Sequence, residues 1–244
     1  MRKPDRIGHD SPEEVLPPSL RRALENCAPV AAGGMDRLTK IALADGALPC
    51  STKLLFLAGI AATRLEPKLT NEFLASALRH GLEPQAAMGA AATLLVSRGI
   101  PPCGILLDGL HECLDAQAPT DQIEPDPVRS SPGEALNYAE LAYGLVPPHI
   151  EFMASELPEA LEGFHLLRSG GLRRASFSPM LTELFLVAVN TALMQPEFVE
   201  RHSREARMEG ASEKELAEAA LTAVPLAGLA AWRRGAEGIL ASRS

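Results

Sequence analysis

Apolar residues recur at intervals of three and four along most of the chain, which is the spacing of one face of an α-helix. The segment from Ser178 to Leu193 shows this pattern most clearly. Its polar insertions include Thr182, Glu183 and Asn190. No segment shows the clean alternation of apolar and polar residues that is typical of a half-exposed strand. The pattern therefore predicts an all-α fold.

Residues that begin and end helices punctuate this pattern. Ser212 and Glu215 have the spacing of a capping box, in which the two side chains satisfy free backbone N–H groups, so a helix is predicted to begin here. Gly210 is predicted to end the helix before it. In the first half of the chain, Gly81 predicts a helix end and Pro84 predicts the next helix start.

Proline and glycine also divide the chain into larger segments. Residues 116–133 contain four prolines together with Asp, Ser and Thr, and predict an exposed linker. Residues 1–16 are polar and predict a flexible arm. This division leaves an N-terminal module, residues 17–115, and a C-terminal module, residues 134–244. Within the latter, the Ser-Gly-Gly run at 169–171 predicts a turn between helices.

The two modules resemble each other when the first is shifted by 129 residues. Proline, glycine and threonine then coincide in one register: Pro67 with Pro196, Gly81 with Gly210, Gly99 with Gly228, and Thr93 with Thr222. A bias toward alanine and leucine does not readily produce these matches. The sequence therefore predicts a tandem duplication.

Composition and charge exclude several classes of function. The 244 residues carry a formal net charge of −8 and only 4% aromatic residues, which argues against a nucleic-acid-binding protein. The residues from Met1 to Arg6 are polar and no long apolar run follows, so we expect neither a signal peptide nor a membrane partner. These features predict a cytoplasmic protein.

The cysteines and histidines do not form a recognisable metal or redox motif. We expect reduced, mostly buried thiols, because no C-x-x-C pair occurs among the four cysteines: Cys27, Cys50, Cys103 and Cys113. A thiol redox enzyme that uses Cys103 or Cys113 is a weaker alternative. His111 lies beside possible ligands but lacks a complete set, so neither a metal nor a cofactor is predicted.

The C-terminal module carries the strongest candidate for chemistry, a glutamate and a histidine on neighbouring helices. Glu183 lies among apolar residues of the predicted helix 178–194, where burial raises the pKa of a carboxylate toward the range of a general acid or base. His202 lies on the next predicted helix, 197–209. If the two helices pack antiparallel, the two side chains can share a proton across their interface.

Two arginines on the same helix complete the candidate site. Arg204 and Arg207 are predicted to bind a substrate carboxylate. The alternative is an ordinary solvated helix face, because charged residues crowd this helix. In the N-terminal module Leu54 and Phe73 stand at the positions of Glu183 and His202, and we expect both to be core residues.

The C-terminal module resembles the carboxymuconolactone decarboxylase superfamily, which includes the alkylhydroperoxidase D-like proteins. The resemblance rests on short motifs whose spacings all fit: Glu183-Leu184, His202-Ser203-Arg204, Ala206 with Gly210, the acidic helix start at 212–215, and Ala227-Gly228-Leu229-Ala230. The first module resembles the same unit in a degenerate form.

This resemblance implies an all-α fold with a helical hairpin at the core of each module. It also implies a homo-oligomer, with a trimer favoured. The redox cysteines of the peroxidase branch are replaced here by Gln195 and Phe198, which argues against a disulfide-forming peroxidase. The cysteine-free branch implies acid–base chemistry at Glu183 and His202.

The sequence thus favours a cofactor-independent lyase, decarboxylase or isomerase that acts on a small carboxylate or lactone. His202 would be the proton donor or relay, Glu183 its orienting partner or base, and Arg204 the anion anchor, with Arg207 also available. The alternative is a non-catalytic oligomeric scaffold or small-ligand-binding protein that has lost its chemistry.

Overall fold

A computed structural model describes residues 25–114, 131–172 and 177–243, and these residues contain α-helices and no strand. This confirms the predicted all-α class. The helices are α1 (Pro29–Leu43), α2 (Cys50–Thr63), α3 (Pro67–Arg79), α4 (Pro84–Arg98), α5 (Ile100–Cys113), α6 (Pro132–Tyr143), α7 (Pro148–Glu156), α8 (Pro158–Leu172), α9 (Pro179–Ala192), α10 (Pro196–Met208), α11 (Glu213–Thr222), α12 (Val224–Ala227) and α13 (Leu229–Ala241).

Helix ends follow the local sequence signals. Most helices have proline in their first turn, where the missing N–H group costs no hydrogen bond, and Pro84 begins α4 as predicted. Gly81 and Gly210 follow α3 and α10 with φ of 87° and 94°, a left-handed conformation that glycine adopts without steric cost. The capping box of Ser212 and Glu215 is present at the start of α11.

Two sequence boundaries differ from the structure. The run at 169–171 was expected to form a turn, but it belongs to the last part of α8, which continues to Leu172. Tertiary packing of α8 against α4 outweighs the low helix propensity of Gly170 and Gly171. The predicted linker ends earlier than expected, because Ser131 caps α6. The arm at 1–16 and most of the linker lie outside the described residues.

The helix bounds recur at the interval that the sequence comparison uses. Helices α2, α3 and α4 begin at 50, 67 and 84, and α9, α10 and α11 begin 129 residues later at 179, 196 and 213. Leu65 and Met194, which stand at equivalent places, have unusual positive φ values of 59° and 58°. This recurrence is what the predicted duplication requires.

The two sets of helices share one hydrophobic core. At its centre Phe56 of α2 contacts Phe185 of α9, with ring centroids 5.7 Å apart, and these residues are equivalent under the same shift. Gly59 allows the close approach, because a Cβ atom there would lie 2.3 Å from the Phe185 ring. Leu54 and Phe73 are buried in this core as expected. Helices α6 to α8 enclose a smaller apolar cluster around Ile150 and Leu161.

None of the helices in the described ranges combines the length and the apolar character needed to cross a bilayer.

Candidate active site

Helices α9 and α10 form a hairpin that brings Glu183 and His202 together. The turn at 193–195 reverses the chain, so the early part of α9 lies beside the later part of α10. His202 Nδ1 lies 2.7 Å from Glu183 Oε2, a hydrogen-bond distance. The side chains are 15% and 14% exposed, so both are largely but not fully withdrawn from water. The approach of these residues that the sequence predicted is therefore present.

The surroundings of Glu183 set its acidity. Burial raises the pKa of its carboxyl group above the ordinary value of 4.5, and the carboxylate of Glu205 raises it further. The contact with His202 acts in the opposite direction and does not reverse the shift. A carboxyl group with a raised pKa can both bind and release a proton at moderate pH, which general acid–base catalysis needs.

Glu205 is a third member of this cluster that sequence reasoning missed. Its Oε2 lies 4.0 Å from His202 Nδ1, one helical turn further along α10. Arg201 Nε contacts the other carboxylate oxygen of Glu205 at 3.0 Å. The spacing of three between His202 and Glu205 was the available signal, because residues three apart share a helix face.

These three side chains are also the group that could hold a metal ion. One ligand atom from each of Glu183, His202 and Glu205 lies within 4.8 Å of the others, and the residues are only partly buried. A histidine and two carboxylates are ligand types that zinc accepts, so a divalent cation would compete here with the shared proton. The expectation of no metal stays a prediction.

Arg204 lies away from the Glu183–His202 contact. Two residues of an α-helix are separated by about 200° around the axis, so Arg204 and His202 project from nearly opposite sides of α10. Arg204 is 51% exposed and pairs with Glu200 at 2.8 Å. Its predicted role as the substrate anchor stays a prediction that this geometry does not favour.

Arg207 is held by a different set of partners near the C-terminus. Its Nε contacts Glu213 at 2.6 Å, and its other nitrogens donate to Ser242 and to the carbonyl oxygen of Ile239. Hydrogen bonds from Arg207 and Arg243 lower the pKa of Glu213 to about 2. These contacts link α10, α11 and α13 through Arg207, and its predicted role in binding a substrate carboxylate stays a prediction.

An arginine from the N-terminal half of the chain reaches the α9–α10 hairpin. Arg98 is the last residue of α4, and its Nη2 donates hydrogen bonds to the side-chain oxygens of Asn190 and Gln195. Arg98 and Asn190 are 92 residues apart, so no local pattern in the sequence predicts this contact.

The thiols do not offer a redox pair. No disulfide joins any of the four cysteines, all of which lie in the described part of the chain: Cys27 is exposed, Cys113 is half-buried, and Cys50 and Cys103 are buried. Burial raises the pKa of Cys50, Cys103 and Cys113, which disfavours the thiolate form that thiol chemistry requires.

Comparison with known families identifies the part of the chain that contains the site. Residues 158–240, from α8 to α13, match the model of the carboxymuconolactone decarboxylase family. The match contains Glu183, His202 and Glu205 but not Arg98, which precedes it. A comparison with curated proteins finds no significant match.

Proposed function

We propose that the protein is a cofactor-independent lyase, decarboxylase or isomerase acting on a small carboxylate or lactone, since residues 158–240 match the model of the carboxymuconolactone decarboxylase family. The observation that carries this proposal is the contact of 2.7 Å between Glu183 and His202 in a largely buried setting. In the N-terminal half, Leu54 and Phe73 stand at the positions equivalent to Glu183 and His202, and both are buried. These apolar residues leave no second glutamate–histidine pair at that place.

The pair can transfer one proton to a substrate carbon. Glu183 contacts His202 at Nδ1, which leaves Nε2 as the ring nitrogen that faces a substrate. In a decarboxylation the bond between the carbon and its carboxylate breaks, the electron pair stays on the carbon as an enolate, and carbon dioxide leaves. Protonated His202 then donates its Nε2 proton to that carbon, and Glu183 stabilises the positive charge of the ring before the transfer.

Redox chemistry of the alkylhydroperoxidase type has less support. Such a reaction needs two neighbouring thiols, and Gln195 and Phe198 occupy the corresponding positions of α10 and its preceding turn.

The proposal is tested by turnover of carboxymuconolactone and of a panel of small lactones and β-keto acids. We expect Glu183→Gln and His202→Ala each to lower kcat by about 100-fold or more, since general acid–base catalysis contributes about that much. Glu200→Gln is the matched control, because Glu200 lies on the same helix and pairs only at the surface with Arg204. It should retain full activity.

Full turnover by both site variants would refute the proposed roles. The alternative function, a small-ligand-binding protein without catalysis, would be favoured if the wild-type protein binds members of this panel saturably and converts none of them. A binding protein of this kind would, like an enzyme, hold Glu183 and His202 largely shielded from water.

A further inference from the structure

Arg98 is a half-buried cation without an anionic partner among the residues that the structure describes. It is half-buried at the end of α4, and its two hydrogen bonds within the described residues go to neutral amides. Both bonds come from Nη2, whereas Nε is buried and has no hydrogen-bond partner. Burial alone lowers the pKa of Arg98. A guanidinium group remains charged in proteins, so this arrangement costs free energy until an anion neutralises it.

The amides that hold Arg98 lie on the same helix faces as the proposed catalytic pair. Asn190 follows Glu183 by seven residues on α9, and Gln195 precedes His202 by seven residues at the start of α10. Seven residues make two helical turns, so Asn190 lies on the same face of α9 as Glu183 and about 10 Å away along the axis. Gln195 immediately precedes α10, about two turns before His202. The hairpin therefore carries a cation at its closed end and a proton-transfer pair two turns away.

An apolar side chain lies between these two ends. Phe198 is three residues after Gln195 and four before His202, so it shares their face of α10. It is 48% exposed, so part of its ring is free to cover a carbon skeleton. The distance between the Arg98 end and the His202 end is about 10 Å, and a hydrogen bond at each end takes up about 3 Å of it. The remaining length fits only a small molecule.

We propose that Arg98 is the carboxylate anchor of the substrate site, supplied by the half of the chain that lies outside the family match. Asn190 and Gln195 orient the guanidinium group, and its free N–H groups bind one substrate carboxylate. The carbon skeleton lies against Phe198, and the reacting carbon lies near His202. The substrate class is a small organic acid whose carboxylate is separated from the reacting carbon by a few bonds. This inference rests on the proposed function for the position of the reacting carbon.

Anion binding can be measured without catalysis. We would titrate succinate, and succinamide as its uncharged counterpart, into Glu183→Gln protein by calorimetry, because this variant keeps Arg98 whether or not Glu183 is catalytic. We expect saturable binding of succinate, no binding of succinamide, and a loss of affinity of about tenfold or more in the Glu183→Gln, Arg98→Met double variant. Arg204→Met in the same background is the matched control and should bind succinate normally.

A second variant keeps the test valid if Arg98→Met unfolds. Gln195→Glu places a carboxylate 3.3 Å from Arg98 with almost no change of shape, so it should raise Tm and abolish succinate binding together. Unchanged succinate binding in this variant or in the folded Arg98→Met variant would overturn the inference. Loss of binding in Arg204→Met alone would also overturn it and would assign the anchor to α10.

The kinetic readout separates this inference from the proposed function. If Arg98 anchors the carboxylate, Arg98→Lys should raise KM for a turned-over acid more than it lowers kcat, since the charge is kept and the bidentate geometry is lost. Activity that depends on Glu183 and His202 but not on Arg98 would reject the anchor and leave the acid–base pair in place.

Discussion

Glu183 is the residue whose chemistry depends most on its environment. Its carboxyl group would ionise at about pH 4.5 in water, and burial together with Glu205 moves the pKa upward. The contact with His202 lowers the pKa of Glu183 and offsets part of this rise. The result is a carboxyl group that keeps its proton to a higher pH than an exposed glutamate does.

The raised pKa of Glu183 predicts how the protein responds to pH. Between pH 4.5 and the folded-state pKa the folded protein binds more protons than the unfolded chain, so the free energy of unfolding should fall as pH rises through this window. Glu183→Gln should remove that slope. Urea denaturation at a series of pH values measures it, and Glu200→Gln is the control. An unchanged slope in Glu183→Gln would show that this carboxyl group titrates normally.

The sequence predicted the approach of Glu183 and His202 but not Arg98, the proposed anion anchor. Glu183 could be found because it is a polar residue in a regular apolar pattern, and His202 because a proline break between two helices indicates a hairpin. The spacing of two residues also shows, from the sequence alone, that His202 and Arg204 project from nearly opposite sides of a helix. Arg98 gave no signal, because its partners come from a helix far away in sequence.

Helices α2 and α11 are joined by a buried ion pair that connects the two halves of the chain. Lys53 is 1% exposed, and its Nζ lies 2.8 Å from Glu218 Oε2. The same carboxylate accepts hydrogen bonds from the backbone N–H groups of Ala47 and Leu48. Burial raises the pKa of Glu218, but the bonds from Leu48, Lys53 and Ala47 outweigh this effect and lower it overall.

Breaking this pair should destabilise the whole fold. Lys53→Met leaves Glu218 without its counter-charge, and removal of one partner of a buried pair costs about 3–5 kcal/mol. Lys214→Met is the matched control, because Lys214 lies 3.9 Å from the same carboxylate but is 72% exposed. We expect Lys214→Met to change the free energy of unfolding by no more than about 0.5 kcal/mol. Equal effects of the two substitutions in chemical denaturation would contradict this role.

The boundaries of helices were predictable to within a few residues, whereas their packing was not. Proline at helix starts, the capping box at Ser212 and glycine after α3 and α10 act through local backbone geometry, so each can be read from a short window. The run at 169–171 was misassigned because packing overrides propensity there. The ion pair of Lys53 and Glu218 joins residues 165 positions apart in the sequence, which no local window contains.

For the molecule as a whole, the proposed site depends on both halves of the chain. The second half supplies Glu183 and His202, and the first half supplies the central helix α2 and the proposed anchor Arg98. The interval of 129 residues predicted the shared arrangement of helices, because repeated glycine and proline positions impose repeated helix ends. The sequence alone showed that only the second module has Glu183 and His202, because Leu54 and Phe73 stand at the equivalent positions of the first. The trimer implied by the resemblance stays a prediction.

The most direct measurement of the central claim is the configuration of deuterium in the product formed in D₂O, determined by NMR. If His202 delivers the proton from one side of a bound enolate, the wild-type product should carry one deuterium in a single configuration, because the Nε2 proton exchanges with solvent. His202→Ala should lose both the rate and this selectivity. A product with deuterium equally in both configurations, or an unchanged selective reaction by His202→Ala, would contradict proton transfer by this pair.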